Sequence, residues 1–252
     1  MAREAREAGV TRIVAAAFHD ETDPALAALV DEMDWMRVGQ LGRLVSFFKK
    51  TAVKQAVMAG QIQPKNLFDL RPDIKTLLLL GRLKTRNAET LFGAVADELA
   101  KAGVELAPAT TFLERYLAEP ALLAGPPLSA RQESDAKFGF QIAKEISRLD
   151  IGQTVVVKNG TVLAVEAFEG TNETMQRGGA LGRKNATMVK VSKPGQDFRF
   201  DVPVIGAATL TTAAEAKISL IVVEAKKTLL LERESIAQLA EKHRISVTGY
   251  EL

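Results

Sequence analysis

The N-terminal half of this 252-residue chain alternates short apolar segments with segments of helical periodicity. Residues 10–18 (VTRIVAAAF) and 53–60 (VKQAVMAG) have the length and composition of buried strands. Residues 71–83 and 86–103 instead carry apolar side chains three and four positions apart, and the second segment stops at Gly103 before a strand-like VEL. This alternation predicts a parallel sheet with helices on its faces, which is a Rossmann-like domain.

The first residues do not fit the usual start of such a domain. The opening MAREAREAGV has the composition of a helix, whereas a doubly wound domain normally begins with a strand and a glycine-rich turn. We therefore expect the first strand to be missing, either because the true start lies upstream or because the domain has lost it. A further helix is expected over DPALAALVDEM, after the Asp23–Pro24 pair.

A segment rich in glycine and proline divides the chain. Gly125, Pro126 and Pro127 interrupt any helix, and polar residues typical of a linker follow them. The length of 252 residues is itself typical of two domains. We place the boundary here, with an N-terminal domain over residues 1–126 and a C-terminal domain over residues 127–252 that holds the catalytic groups.

The C-terminal half predicts a mixed α/β domain. Residues 133–150 form an amphipathic pattern, and Asn159–Gly160 between two alternating apolar runs is a strong signal for a hairpin. RESIAQLAEKH predicts a helix near the C-terminus. Further strands are predicted over TMVKVSK, KPGQDFRFDVPVIG (residues 193–206), SLIVVEA, TLLLE and ISVTG.

Composition excludes several kinds of chemistry. The 33 Lys and Arg residues nearly balance 31 Asp and Glu residues, so the net charge of +2 gives no general attraction to nucleic acid. The absence of cysteine excludes disulfides, zinc–thiolate sites and a cysteine nucleophile. His19 and His243 lie where surface or capping roles are expected. The lack of a signal peptide or an apolar run of 18 residues points to the cytoplasm.

Polar residues gather where the second strand of the hairpin gives way to a helix beginning near Thr171. Glu166, Glu169, Gly170, Thr171 and Asn172 lie at this junction. The free N–H groups of a helix N-terminus can hold a phosphate. An ordinary N-cap with acidic residues in the first turn explains the same pattern.

The predicted strand over residues 193–206 carries an unusual density of charge in its first half. Alternation along a strand places Asp197, Arg199 and Asp201 on one face. Exposure of that face to solvent would explain its three charged side chains. Asp201, however, leads directly into the apolar VPVIG, where burial should rise.

Five long segments carry a resemblance to one known family. Three lie in the second half, DIGQTVVVKNGTVLAVEAFEGTNE, KVSKPGQDFRFDVPVIG and EAKKTLLLERE, and two in the first, VMAGQIQPKNL and RNAETLFGAVADELAKAGVEL. They resemble the C-terminal and N-terminal domains of the UDP-2,3-diacylglucosamine pyrophosphatases of lipid A biosynthesis, the type unrelated to metallophosphoesterases. The family's glycine-rich opening is absent before Met1, and its EGTD motif ends here in Asn172.

The resemblance implies an activity. Members of that family hydrolyse the pyrophosphate of UDP-2,3-diacylglucosamine to UMP and 2,3-diacylglucosamine 1-phosphate (lipid X), with Mg²⁺ as cofactor and attack at the sugar-side phosphorus. Two acyl chains on the substrate require an apolar trough and imply transient contact with the cytoplasmic face of the inner membrane. The oligomeric state cannot be read from the sequence.

The resemblance also implies a set of site residues. The family's motif makes Asp201 the catalytic aspartate. Mg²⁺ prefers oxygen ligands, and the predicted ligands are Asp201, Glu169 and Asp197. The predicted substrate-binding residues are cations and hydrogen-bonding side chains near these carboxylates: Thr171, Asn172, Arg177, Lys190, Lys193, Gln196 and Arg199.

Two other classes of function fit the same residues. A regulator that binds a sugar nucleotide would use the same phosphate contacts without catalysis. A scaffold whose domain interface buries these charges would need no ligand. Release of UMP in the presence of Mg²⁺ distinguishes the enzyme from both.

Overall fold

The structure, a computed structural model, describes residues 1–60, 72–83 and 88–251. Contacts between residues divide it into two units, and the prediction of a two-domain α/β protein is confirmed. The first unit comprises Met1–Leu113 and Asp197–Asp201, and the second comprises Glu114–Gln196 and Val202–Leu252. The QIQPKNL part of the N-terminal resemblance lies outside the described residues.

The first unit contains two parallel strand pairs and four α-helices among its described residues. Strand β1 pairs with β2, and β3 pairs with β4, both in parallel. The bounds are α1 (Ala2–Glu7), β1 (Val14–Phe18), β2 (Glu32–Met36), α2 (Leu41–Thr51), β3 (Gln55–Val57), α3 (Ile74–Arg82), α4 (Ala88–Lys101) and β4 (Glu105–Ala107). Its core joins α2 to β2 and to the C-terminal end of α4, through Met36, Leu41, Val45, Phe47, Phe48, Leu99 and Val104.

The helix predicted over DPALAALVDEM is wrong in its second half. The Asp23 side chain caps the N–H of Ala25 at 2.9 Å, and a 3₁₀ helix covers only Pro24–Leu29. Val30 is already extended, with φ of −126°, and the chain continues into β2. Pairing with β1 therefore overrides the local helical pattern.

The second unit is built on a six-stranded mixed sheet in the order β5-β12-β10-β8-β6-β7. Strands β8, β10 and β12 are parallel, β6 is antiparallel to both β7 and β8, and β5 is antiparallel to β12. The strand bounds are β5 (Leu122–Ala124), β6 (Thr154–Lys158), β7 (Thr161–Val165), β8 (Ala186–Lys190), β9 (Val204–Ile205), β10 (Ile218–Glu224), β11 (Leu229–Leu230) and β12 (Ser246–Tyr250). Strands β9 and β11 form a separate parallel pair.

Helices cover both faces of this sheet. Helix α5 packs on one face, where Phe140 meets Val155 and Val189 in a buried cluster. The other face carries a larger cluster that includes Met175 and Leu210. The bounds are α5 (Ala130–Arg148), α6 (Thr171–Gly182), α7 (Ala207–Glu215) and α8 (Arg233–His243). The predicted helices over residues 133–150 and over RESIAQLAEKH are thus confirmed.

The second unit begins before the predicted boundary at residue 126. Residues Leu122–Ala124 form β5 and pair with β12 near Val247 and Thr248. At Gly125, φ is +77° and an added Cβ would lie 2.0 Å from the carbonyl oxygen of Ile245, so this glycine packs directly against the chain that leads into β12. The segment around Gly125 therefore lies within the second unit's contacts.

The strand predicted over residues 193–206 is wrong except for Val204–Ile205. Gly195 has a φ of +73°, which turns the chain, and the N–H of Asp201 donates to the carbonyl of Asp197 at 3.1 Å to close a second turn. Pro203 supplies no N–H for a sheet ladder. The predicted placement of Asp197, Arg199 and Asp201 on one face of a strand therefore does not occur.

The hairpin at Asn159–Gly160 is confirmed. Both residues have positive φ, +49° and +69°, as the tight turn between β6 and β7 requires. The carboxylate of Asp135, which is 3% exposed, accepts their two N–H groups at 2.9 and 2.8 Å. One buried side chain on α5 therefore ties the hairpin turn to the helix.

We predict that Asp135→Ala lowers the free energy of unfolding by about 1–3 kcal/mol, because two N–H groups lose their acceptor. Denaturant unfolding followed by circular dichroism measures this change. Glu145→Ala is the matched control, since Glu145 is an exposed carboxylate on the same helix, paired with Arg148. The control should change stability by less than about 0.5 kcal/mol. Equal effects of the two substitutions would contradict the role assigned to Asp135.

Candidate functional site

A polar network lies at the N-terminus of α6. Glu166 follows directly after β7, and its two carboxylate oxygens accept the hydroxyl of Thr171 at 2.9 Å and the N–H of Gln153 at 3.1 Å. The ammonium of Lys190 donates to the Thr171 hydroxyl at 3.2 Å, and the hydroxyl of Thr154 lies 3.3 Å from the same oxygen. One cluster thus contains residues from the end of β8, the start of β6 and the position that follows β7.

The start of α6 is suited to an anion. The helix begins at Thr171, as the sequence predicts, and Gly170 at the cap has a φ of +91° and supplies no side-chain acceptor. The aligned N–H groups of a helix start carry partial positive charge, and the ammonium of Lys190 adds a full charge beside it. Asn172 is exposed in the first turn.

Glu169 is held in place by its neighbours. Arg177 donates to one of its carboxylate oxygens and also to the carbonyl oxygen of Val165, the latter at 2.8 Å. The hydroxyl of Thr174 donates to the same carboxylate at 3.2 Å, and the N–H of Ala167 donates at 3.0 Å. The hydrogen bond from Arg177 is the main cause that lowers the pKa of Glu169 to about 2. Glu169 is therefore an ionised carboxylate that orders the loop before α6.

Lys193 and Gln196 form a compact turn rather than part of a strand. The side-chain oxygen of Gln196 accepts the N–H of Lys193 at 2.6 Å, and the N–H of Gln196 donates to the carbonyl of Lys193 at 3.2 Å. The ammonium of Lys193 forms an ion pair with Asp150. This turn follows β8 directly and belongs to the second unit.

Residues 197–201 group with the first unit. Asp197 binds Arg199 in a two-pronged pair, with contacts of 2.9 Å and 2.6 Å from the guanidinium to the two carboxylate oxygens. This hydrogen bonding lowers the pKa of Asp197 and raises that of Arg199. The carbonyl of Phe198 accepts the N–H of Ala109 at 2.7 Å. Asp201 closes the turn and is half-buried.

The structure distributes the predicted site residues over both units. Asp197, Arg199 and Asp201 lie in the first unit. The second unit holds Glu169, Thr171, Asn172, Arg177, Lys190, Lys193 and Gln196. Within the second unit, Thr171 and Lys190 are brought into direct contact, as are Glu169 and Arg177.

The predicted carboxylate ligands for Mg²⁺ differ in what they contact. Glu169 and Asp197 are each engaged by an arginine, which satisfies the charge that a cation would otherwise neutralise. Over residues 1–60, 72–83 and 88–251, no three His, Cys, Asp or Glu side chains are grouped as metal ligands. Glu169 and Asp197 lie in different units and each has an arginine partner, and their role as Mg²⁺ ligands stays a prediction.

Glu166 was not among the predicted binding residues, although it is the residue that orients Thr171. Its signal in the sequence is its place at the end of a predicted strand, immediately before the EGTN motif. The hydrogen bond to Gln153, 13 positions away, forms only once the hairpin brings the two segments together. Sequence position indicates Glu166, but only the fold shows what it contacts.

These features define a two-unit α/β protein with an anion-compatible helix start at one edge of a mixed sheet. The LpxI N-terminal domain matches residues 1–116, and the LpxI C-terminal domain matches residues 119–248. The chain belongs to the LpxI family. It is 30% identical over 223 residues to the UDP-2,3-diacylglucosamine pyrophosphatase LpxI of Caulobacter vibrioides, with 84% of this chain and 80% of that protein covered.

In the part of the chain that the structure describes, no helix is both long and apolar enough to cross a bilayer.

The contacts of Glu169 predict an unusual titration. Because the pKa of Glu169 is lowered from 4.5 to about 2, its interaction with Arg177 contributes stability above about pH 4.5 and loses it as pH falls toward 2. Arg177→Met should move the pKa of Glu169 upward, toward the ordinary value. Carbon-13 NMR titration of the glutamate carboxyl groups measures the shift.

The matched control for this titration is Arg148→Met, which removes an exposed arginine from Glu145. It should leave the titration of Glu169 unchanged. If the pKa of Glu169 stays near 2 in Arg177→Met, the arginine is not its cause.

Proposed function

We propose that this protein hydrolyses the pyrophosphate bond of UDP-2,3-diacylglucosamine, releasing UMP and 2,3-diacylglucosamine 1-phosphate in lipid A biosynthesis. The observation that carries the proposal is membership of the LpxI family over residues 1–116 and 119–248. The Caulobacter vibrioides relative is named for this substrate and this bond. The anion-compatible start of α6 supports a substrate with two phosphates.

The phosphate contacts are assigned to the second unit. The N–H groups at the start of α6 and the ammonium of Lys190 bind phosphate oxygens, and the Thr171 hydroxyl, which donates to Glu166, accepts from Lys190 and holds that ammonium beside the helix start. Asn172 occupies the first turn of the same helix. Arg177 and Lys193 are further candidate phosphate contacts near the same sheet edge, where they pair with Glu169 and Asp150 respectively.

Asp201 is the proposed catalytic carboxylate. Water attacks the sugar-side phosphorus, the bond from that phosphorus to the bridging oxygen breaks, and UMP leaves with the bridging oxygen. A carboxylate that orients the attacking water and accepts its proton serves this step. Arg199 is held by Asp197, which gives it a defined direction for a phosphate contact.

Mg²⁺ is the proposed cofactor. When bound, it neutralises charge on the phosphate oxygens and so reduces the repulsion of the attacking oxygen. Mg²⁺ retains several waters and needs only one or two carboxylates together with substrate phosphates. Asp201 is the carboxylate that would hold it, because the resemblance to the family makes Asp201 the catalytic aspartate.

Contact with the cytoplasmic face of the inner membrane is part of the proposal, since the substrate carries two acyl chains. The Phe168 side chain is 98% exposed in the loop before α6. Leu149 and Ile151, in the segment after α5, are also exposed. This segment lies close to the loop before α6, because an added Cβ on Gly152 would lie 2.1 Å from the carbonyl oxygen of Glu166. Three apolar side chains thus lie beside the phosphate-binding edge, where a lipid would present its chains.

We predict that Asp201→Ala lowers the turnover rate at least about a hundredfold, the order expected when an electrostatic or acid–base group is lost. Asp201→Asn should be nearly as severe, because it retains the shape but not the charge. Asp197→Asn is the matched comparison and should be milder, since Arg199 already neutralises Asp197. Steady-state kinetics measures the three variants, with circular dichroism as a folding control.

The outcome that contradicts this role is a folded Asp201→Ala protein that retains most of the turnover rate of the unmodified protein. The turn over residues 197–201 would then have a purely structural function.

Metal dependence gives the test of the whole proposal. UMP release from UDP-2,3-diacylglucosamine should require Mg²⁺, should stop in EDTA and should return when Mg²⁺ is added in excess. The chain has no cysteine and only two histidines, so an alternative nucleophile of those types is scarce. Full activity in EDTA would overturn the cofactor assignment, and substrate binding without UMP release would indicate a binding regulator.

A further inference from the structure

A buried carboxylate beyond the predicted site holds the start of the turn that carries Lys193 and Gln196. Glu224 is the last residue of β10 and is 6% exposed. One of its oxygens accepts both the N–H and the hydroxyl of Ser192, each at 2.8 Å. Ser192 immediately precedes Lys193 in the chain.

A lysine on helix α5 contacts both Glu224 and Ser192. The ammonium of Lys144, on α5, lies 3.2 and 3.1 Å from the two oxygens of Glu224 and donates to the carbonyl of Ser192 at 2.9 Å. Lys227 donates to Glu224 from the more exposed side at 2.8 Å. The N–H, carbonyl and hydroxyl of Ser192 are therefore all engaged by one ion pair, in which Glu224 is buried and Lys144 half-buried.

The carboxylate stays charged in this environment. Burial alone raises the pKa of Glu224, but hydrogen bonds from Lys227, Ser192 and Lys144 outweigh it and lower the pKa overall. Charged acceptors form stronger hydrogen bonds than neutral ones. The ionised Glu224 consequently holds Ser192 more firmly than a neutral acceptor at the same position would.

The position of Ser192 explains why such an anchor is needed. Strand β8 ends at Lys190, and Val191 donates its N–H to the carbonyl of Gln153 at 3.0 Å. The N–H of the next residue, Ser192, donates to the side chain of Glu224 instead. The Glu224 side chain thus holds the chain in place after the end of β8, at the start of the turn over residues 193–196.

We propose that Glu224 is a positioning residue that fixes the turn over residues 193–196 for substrate binding. The inference rests on the proposed function, because Lys193 and Gln196 are the substrate-binding residues in that turn. Glu224 acts through Ser192 and makes no contact with the substrate itself. Displacing a binding group by about 1 Å costs up to about a hundredfold in rate, so such anchoring has a measurable effect.

Three variants separate positioning from general stability. Glu224→Gln keeps only a neutral acceptor for Ser192, leaves the half-buried ammonium of Lys144 without its anion and should lower the thermal midpoint. The double variant Glu224→Met with Lys144→Met removes both charges and should recover the part of the loss that the unpaired ammonium causes, but it leaves the N–H and hydroxyl of Ser192 without any side-chain acceptor. Lys227→Met is the matched control, since it removes a contact to Glu224 without touching Ser192.

Two measurements decide the role. The KM for UDP-2,3-diacylglucosamine should rise about tenfold or more in both Glu224 variants, with kcat changed less than about threefold. Amide hydrogen exchange over residues 192–196 should accelerate at least about tenfold in the same two variants, while exchange over Ala186–Lys190 stays unchanged. Lys227→Met should leave both quantities near those of the unmodified protein.

Each other result overturns a definite part of the inference. If the double variant recovers KM along with stability, or exchange over residues 192–196 does not change, Glu224 is structural only. If exchange rises while KM stays constant, the anchored turn does not bind substrate. A parent protein that releases no UMP would refute the proposed function instead, and the exchange measurement would still decide whether Glu224 holds the turn.

Discussion

The parallel alignment of strands in the second unit is the constraint on which the rest of the site depends. Strands β8 and β10 run parallel with Lys190 opposite Val223, and β7 runs in the same direction because both β7 and β8 are antiparallel to β6. The residues that follow these strands consequently meet at one edge of the sheet. Glu166, Ser192 and Glu224 reach that edge although they are distant in sequence. In open α/β sheets, ligands bind at the carboxyl ends of parallel strands, and this edge is where the polar network forms.

Close packing of α6 against the sheet and against the end of α7 fixes the position of its N-terminus. A Cβ added at Gly178 would lie 2.5 Å from the side chain of Val156, and one added at Gly179 would lie 2.1 Å from the carbonyl oxygen of Ala216. Only glycine allows the helix to approach so closely. The N-terminus of α6 is thereby held beside Thr154 and Lys190, where its partial positive charge reinforces that of the ammonium.

Ion pairs divide the carboxylates of the chain into different roles. Glu169 and Asp197 each order a loop through an arginine, and Glu224 orders a turn through Lys144 and Ser192. These groups remain ionised because the partner cations favour the charged form. Asp201 closes a turn of the first unit and is half-buried, as Asp197 is.

Local signals in the sequence determined the elements that depend on neighbouring residues: the Asn159–Gly160 hairpin, the start of α6 at Thr171 and the helix ending before Gly103. Turn and capping preferences act within a few residues, so a single sequence displays them. The turns over residues 193–201 also depend on local residues, because Gly195 and the Asp197–Arg199 pair override the alternating pattern, whereas only the tertiary structure decided that residues 197–201 group with the first unit. It also decided the anchoring of Ser192, because Glu224 is 32 positions from Ser192 and 80 from Lys144. Such contacts form only when separate strands and helices are brought together, and no periodicity within one segment encodes them.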